Sequence, residues 1–151
     1  METLKETTVA IKTDKGDIER PAMVSDLCPG LAISKTSFAR FSITHIKSGT
    51  KMGTLYQLFG DALLVFSKLA LIAKHNDISW DVDSDEVPNI LKKINDIPVP
   101  FDSTVIHMGK ERKQTCKEFF EGLRFEDLHS SIFEPDTEYE ALELLEQCKP
   151  E

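Results

Sequence analysis

Residues 54–75 read TLYQLFGDALLVFSKLALIAKH and decide the fold class of this 151-residue chain. Apolar residues recur there at the three- and four-residue spacing of a helix, over roughly six turns. Thr54 is a suitable N-cap for such a helix. One stripe is predicted to face a β-sheet and consists of Leu55, Phe59, Ala62, Phe66, Leu69, Ala70 and Ala73.

The sequence before this helix predicts an antiparallel sheet. Residues 38–46, FARFSITHI, alternate between an apolar and a polar face, which is typical of a sheet covered on one side only. Residues 7–13 and 17–24 flank a turn signal at 14–16, and residues 31–33 are short and strand-like. We therefore expect a β-meander of three or four strands that packs on the central helix.

The remaining sequence predicts a mainly helical C-terminal half. A helix is expected near Pro88, a second over residues 111–123 and a third from about 137 to 147, with a short strand at 103–108. Neither a repeat nor a low-complexity linker divides the chain. The prediction is an α+β fold with a single domain over residues 1–151.

The side of the central helix opposite the sheet stripe is also partly apolar. Leu64 and Leu71 lie seven residues apart, and the small residues Gly60 and Ser67 each precede one of them by four. A solvent-exposed helix face does not normally carry such a seam. Two coverings are possible: the C-terminal helix of the same chain, or a second copy in a homodimer. These four residues are the predicted interaction residues.

Composition narrows the class of protein. The formal net charge is −8, with +2 in residues 1–80 and −10 in residues 81–151. An acidic half repels phosphate, so nucleic-acid binding is unfavourable. The longest apolar run is interrupted by Gly60, Asp61, Ser67 and Lys68, and the N-terminus lacks the pattern of a signal peptide. We expect a cytoplasmic protein without a membrane span, in which the three cysteines are buried thiols.

Two histidines are the candidate polar site. His45 and His107 each lie at the end of a predicted strand, and if those ends are adjacent the pair could bind a metal or move a proton. The four histidines form no metal-binding motif. The acidic loop at residues 81–86 begins like a calcium loop but lacks its glycine and its final acid. We therefore predict no catalytic residue, no metal and no cofactor.

Two charged segments stand out. Lys110, Arg112, Lys113 and Lys117 form a basic cluster that is predicted at the start of a helix. Residues 125–148 hold eight acids and neither Lys nor Arg. The acids could form a phosphate-like surface that mimics nucleic acid, although a solvated helix face is the simpler interpretation.

The segment FSITHIKSGTKMG, followed by the long apolar helix and by Ile78-Ser79-Trp80, resembles a module in small uncharacterised proteins of phages, plasmids and gene cassettes. The similarity includes Phe41, Thr44-His45, Ser48-Gly49 and the helix after them. It covers about a quarter of the chain. It implies a ββα unit and an accessory role, and it carries over no functional residues.

Three functional hypotheses follow. The first is a non-enzymatic binding or regulatory accessory module that acts through protein–protein contact, with a protein partner or as a homodimer. The second is an acidic inhibitor that mimics nucleic acid and occupies a DNA-binding protein. The third is a small enzyme that uses His45 or His107.

Overall fold

The computed structural model describes residues 4–36, 39–125 and 137–150. These residues form seven strands and four α-helices, together with one short 3-10 turn, Ser84–Glu86. The elements are β1 Lys5–Thr13, β2 Gly16–Val24, β3 Leu31–Lys35, β4 Phe41–His45, β5 Thr50–Tyr56, α1 Phe59–His75, α2 Val87–Ile94, β6 Thr104–His107, β7 Lys110–Lys113, α3 Cys116–Phe125 and α4 Thr137–Glu146.

The first five strands form one antiparallel meander in chain order, which confirms the predicted α+β fold. β3 and β4 pair along their whole length, from Leu31 opposite His45 to Lys35 opposite Phe41. The β2–β3 ladder is confined to two residue pairs, Ala22 with Ser34 and Met23 with Ile33. Pro21 lies directly beyond that ladder and has no N–H to extend it.

The polar face of β3 and β4 is buried as well as their apolar face, so the prediction of a one-sided sheet was wrong for these two strands. The hydroxyl residues Ser34, Ser42 and Thr44 are all buried. Ser34 Oγ donates to Thr44 Oγ1 over 2.8 Å, which provides a hydrogen bond away from water. The β1–β2 hairpin folds across this face, since its residues line a small cavity together with Ser42 and Thr44. The Lys12 N–H donates to the carbonyl of Gly49 over 3.0 Å and ties β1 to the β4–β5 turn.

The central helix α1 begins later than the sequence predicted. Residues 54–56 continue β5, and the N-cap is Leu58 instead of Thr54. Leu55 therefore lies on a strand, where it is exposed, and does not belong to the sheet-facing stripe. Of the rest of that stripe, Phe59 is half-buried and packs against the core, and the other residues are buried in it, where Phe66 and Leu69 pack with strand residues. Within the described part of the chain, no helix is long and apolar enough to cross a membrane.

Helix α4 covers the seam of α1. A Cβ added to Gly60 would lie 3.4 Å from the backbone nitrogen of Glu138, so the two helices are in close contact there. Ser67 and Leu71 are buried, whereas Leu64 is half-buried. Lys74 Nζ donates to the carbonyl oxygens of Gln147 and Lys149 over 2.7 and 2.8 Å, and this links the C-terminal ends of α1 and α4. Of the two predicted coverings, the C-terminal helix of the same chain occupies the seam.

The second half differs from the prediction at one place. Residues 110–113 form strand β7, and the helix predicted from residue 111 begins at Cys116. Thr115 caps α3 in a capping box with Glu118: Glu118 N–H donates to Thr115 Oγ1 over 3.3 Å, and Thr115 N–H donates to Glu118 Oε1 over 3.0 Å. Since this cap starts the helix at residue 116, the preceding basic residues are free to form a hairpin.

Candidate functional site

His45 lies at the end of β4, immediately before the turn that leads to β5. Its side chain is 2% exposed, and both ring nitrogens are hydrogen-bonded. Nε2 lies 2.9 Å from the carbonyl oxygen of Trp80, and Nδ1 lies 2.8 Å from Ser48 Oγ. His45, which was predicted as part of a polar site, is therefore a buried histidine that joins two segments far apart in the chain.

These partners determine which nitrogen of His45 carries the proton. A carbonyl oxygen can only accept, so Nε2 carries the hydrogen that it donates to Trp80. In the neutral ring Nδ1 is then an acceptor, and Ser48 O–H donates to it over 2.8 Å, a shorter contact than the 3.4 Å from Ser48 Oγ to the carbonyl oxygen of His45. Thr50 Oγ1 lies 2.7 Å from Ser48 Oγ, so the Thr50 hydroxyl donates to Ser48. The result is a directed chain of hydrogen bonds from Thr50 through Ser48 to His45.

The loop after α1 is fixed around the peptide bond between Trp80 and Asp81. Trp80 is 1% exposed, and its indole Nε1 donates to the carbonyl of Leu69 in α1 over 3.0 Å. Gly30 lies directly against the Trp80–Asp81 peptide, because a Cβ added to Gly30 would be 2.3 Å from Asp81 N. Gly30 has φ +95°, a conformation that L-residues with a side chain rarely adopt. Thus β4, α1 and the segment before β3 together hold one loop peptide in place.

A cavity of about 350 Å³ adjoins this chain of hydrogen bonds. His45, Ser48 and Thr50 line it from the β4–β5 turn. Much of the remaining lining is apolar and includes Met52, Val87, Pro88, Leu91, Phe120 and Leu123. The size and the apolar lining with a few polar groups are typical of small-molecule sites in proteins.

The geometry around Ser48 also bears on the enzyme hypothesis. A serine hydroxyl that donates to a histidine is the first half of a nucleophile–base pair. Acyl transfer also needs donors for the oxyanion. The two backbone N–H groups nearest in sequence are already used, since Gly49 N–H donates to His45 O over 2.8 Å and Thr50 N–H donates to Ser48 Oγ over 3.3 Å. Neither of these two N–H groups is therefore available to stabilise an oxyanion beside Ser48.

His107 lies in a different part of the structure from His45. It is the last residue of β6, which pairs with β7 in a separate two-stranded sheet, and its side chain is outside the described part. The sequence placed both histidines correctly at strand ends, but the two strands belong to different sheets. Over residues 4–36, 39–125 and 137–150, no three His, Cys, Asp or Glu side chains are grouped to hold a metal ion.

The β6–β7 hairpin carries two exposed apolar residues. Ile106 is 75% exposed and Met108 is 89% exposed, the largest values among the exposed large hydrophobic residues of the described chain. Met108 and Gly109 form the turn with φ of +52° and +76°. Positive φ at both central residues is the signature of a type I′ turn, which favours Asn-Gly. Sequence reasoning missed this surface because the hairpin was predicted as a strand followed by a helix.

The basic cluster lies on the second strand of that hairpin. All four residues of β7, which include Lys110, Arg112 and Lys113, are exposed, whereas Lys117 lies on α3. Arg112 binds both carboxylate oxygens of Glu118 over 2.7 Å. The hydrogen bonds from Arg112 and from the backbone of Thr115 lower the pKa of Glu118 to about 2. This bidentate pair anchors the hairpin to the start of α3.

The three cysteines are free and buried, as predicted. Burial raises the pKa of Cys28, Cys116 and Cys148, which keeps these thiols protonated. Of the acidic segment, residues 126–136 lie outside the described residues. The acids at 138, 140, 143 and 146 are exposed on α4.

Comparison of the chain with protein-family models, curated proteins and solved structures gives no match.

Proposed function

We propose that this chain is a non-enzymatic binding or regulatory accessory module, and that the β6–β7 hairpin makes its protein–protein contact. The observation that carries the proposal is the exposure of Ile106 and Met108 at the end of this hairpin, at 75% and 89%. A large apolar side chain fully in water does not stabilise the chain that carries it. Burial against a partner would recover that free energy.

The turn conformation supports the same interpretation. Met108 has φ +52°, and a residue with a side chain in this region costs roughly 1 kcal/mol relative to glycine or asparagine. The Met108 side chain is thus held in a strained turn and points its apolar surface to solvent. Strained residues are commonly found where a protein makes functional contacts.

The hairpin is rigid enough at its base to present a defined surface. Gln114 N–H donates to the Ser103 carbonyl over 3.0 Å, and Val99 N–H donates to the Gln114 carbonyl over 3.0 Å. Ser103 Oγ also donates to Gln114 Oε1 over 2.8 Å. A contact surface on such a base loses less conformational entropy on binding than a flexible loop would.

Charge indicates the chemistry of the partner. Lys110 and Lys113 place positive charge on β7 beside the apolar end. The charge of Arg112 is taken up by Glu118, and Glu111 lies opposite Ile106 in the hairpin. We infer a protein surface with an apolar depression for Met108 and Ile106 and an acidic group within reach of Lys110 or Lys113. Nucleic acid is disfavoured because residues 81–151 have a formal charge of −10 and would repel its phosphates.

The test is an affinity pull-down from the native host that compares single-residue variants. Wild type is compared with Met108→Asn and Ile106→Thr. The matched control is Ile18→Thr, because Ile18 is also an exposed isoleucine on a hairpin, 38% exposed in β1–β2. A partner retained by wild type and Ile18→Thr, lost with both hairpin variants and weakened by salt is the expected result. Recovery of the same proteins by all four chains would refute the proposal.

The second candidate is the acidic inhibitor that mimics nucleic acid. It is favoured by the glutamates exposed along α4, at 138, 140, 143 and 146. Such a surface would compete with DNA for a basic groove, and the competition would be strongest at low salt. If the chain fails to displace DNA from DNA-binding proteins of its host at low salt, this candidate is eliminated.

A further inference from the structure

We infer that the cavity beside His45 binds a small apolar molecule that carries one hydrogen-bond donor, such as a hydroxyl or an N–H group. This inference concerns a different surface from the β6–β7 hairpin and does not depend on the hairpin's role. It rests on the cavity of about 350 Å³ and on the direction of the hydrogen bonds at its polar side.

Each donor along the chain of hydrogen bonds already has an acceptor. The proton on His45 Nε2 is used by the Trp80 carbonyl at 2.9 Å. The Ser48 hydroxyl proton is then used by His45 Nδ1 at 2.8 Å, and the Thr50 hydroxyl proton by Ser48 Oγ at 2.7 Å. The hydroxyl protons of Ser48 and Thr50 are therefore both used in hydrogen bonds, and Thr50 Oγ1 can only accept a further one.

The polar end of the cavity determines which ligand group can bind there. Thr50 lines the cavity, and its Oγ1 is the last atom in the series of hydrogen bonds that starts at His45. A ligand atom that reaches it must donate, because two facing acceptors repel each other. A cationic donor is disfavoured by Lys51, which lines the same cavity. A neutral hydroxyl or N–H group meets both requirements.

The walls of the cavity determine the body of the ligand. Val87, Pro88 and Leu91 line the cavity from α2, and Phe120 and Leu123 line it from α3. Apolar walls of this kind bind an aliphatic or aromatic body by removing its surface from water. The cavity volume of about 350 Å³ lies at the lower end of the range for small-molecule pockets, which fits a molecule of one or two rings.

The experiment uses two probes with the same ring system, one with the hydroxyl donor and one in which a methyl group replaces its hydrogen. These are 2-naphthol and its methyl ether, 2-methoxynaphthalene, and binding is measured by equilibrium dialysis against the full chain. Wild type is expected to bind the naphthol roughly 3- to 10-fold more tightly, the value of one neutral hydrogen bond. Equal affinity for the two probes, or binding of neither, would overturn the inference.

Three variants locate the binding. Thr50→Val keeps the shape of the side chain but removes Oγ1, so the preference for naphthol should disappear while the ether binds as before. Ser84→Ala also lines the cavity but is outside the hydrogen-bond chain, and it should keep the preference. Leu91→Trp fills the cavity and should weaken both probes. A preference for naphthol that survives in Thr50→Val would refute the role assigned to the hydrogen-bond chain.

Discussion

Replacement of Gly30 by alanine tests the arrangement that holds the Trp80 loop. The added Cβ would lie 2.3 Å from Asp81 N, 2.4 Å from Trp80 C and 2.5 Å from Trp80 O. All three are backbone atoms, so no side-chain rotation can relieve the contact. Because ordinary contacts begin near 3.4 Å, the loop peptide must move by about 1 Å.

That displacement has two costs. A shift of this size breaks the 2.9 Å hydrogen bond between His45 Nε2 and the Trp80 carbonyl, and leaving these buried groups unpaired costs about 1–3 kcal/mol. Alanine at φ +95° adds about 1–2 kcal/mol of backbone strain. We therefore expect the free energy of unfolding to fall by about 2–5 kcal/mol, a large fraction of the stability of an ordinary domain.

The matched control is Gly16→Ala. Gly16 has φ +103°, close to the value at Gly30, but nothing lies within 4 Å of its added Cβ. The control thus carries the backbone strain without the collision and should lose only about 1–2 kcal/mol. The assay is urea unfolding followed by far-UV circular dichroism, together with the native emission spectrum of Trp80, which should shift to the red in Gly30→Ala only. Equal losses in the two variants, with unchanged Trp80 emission, would refute this account of the loop.

Four further predictions concern α4, the seam and the hairpin anchor. Lys74→Met removes the donors to the Gln147 and Lys149 carbonyls, so amide exchange near the end of α4 should accelerate relative to α1. The control Lys92→Met, on α2, should leave this exchange unchanged. Equal exchange in both variants would contradict the role of Lys74. Leu71→Ala should lower the free energy of unfolding by about 2–5 kcal/mol because α4 leaves Leu71 only 6% exposed. Light scattering should give wild type and Leu64→Lys the same mass, and a wild type of twice the variant's mass would instead show that the seam joins two copies. Glu118 has a pKa lowered from 4.5 to about 2, so its stabilising effect is fully present above pH 4.5 and is lost as the pH falls toward 2. Over that window wild type should lose stability relative to Glu118→Gln, and parallel stability curves would contradict the Arg112 contact.

The sequence predicted the layers of the fold from hydrophobic spacing. The stripe that contains Phe66 and Leu69 packs on the sheet, and the seam with Leu71 is covered by α4. Spacing of three and four residues reports burial directly, because only one face of a helix can point to a given neighbour. Periodicity therefore located the core well.

Periodicity failed where burial is polar. Ser42 and Thr44 alternate with apolar residues, and alternation normally indicates a solvent-exposed face. In the structure these hydroxyls bond to one another or to Ser34 beneath the β1–β2 hairpin. The place where a distant hairpin folds back is a tertiary property, and no local spacing encodes it.

For the candidate sites too, the sequence predicted local features but not contacts between distant segments. His45 could be identified as a polar residue at a strand end, but its partner Trp80 lies 35 residues away and could not be paired with it from the sequence. The hairpin at Met108 was missed because a methionine replaces the usual asparagine of a type I′ turn. The local signal was weak there because the residue departs from the preferred turn chemistry.

The bond between the Lys12 N–H and the Gly49 carbonyl also affects how separate molecules of this protein behave toward each other. An edge strand with unpaired backbone groups can recruit strands from other molecules and so initiate aggregation. Here β1, the first edge of the meander, bends over until its own backbone meets the β4–β5 turn. The contact occupies one N–H group of this edge, and we expect it to disfavour the addition of a strand from another molecule at that point.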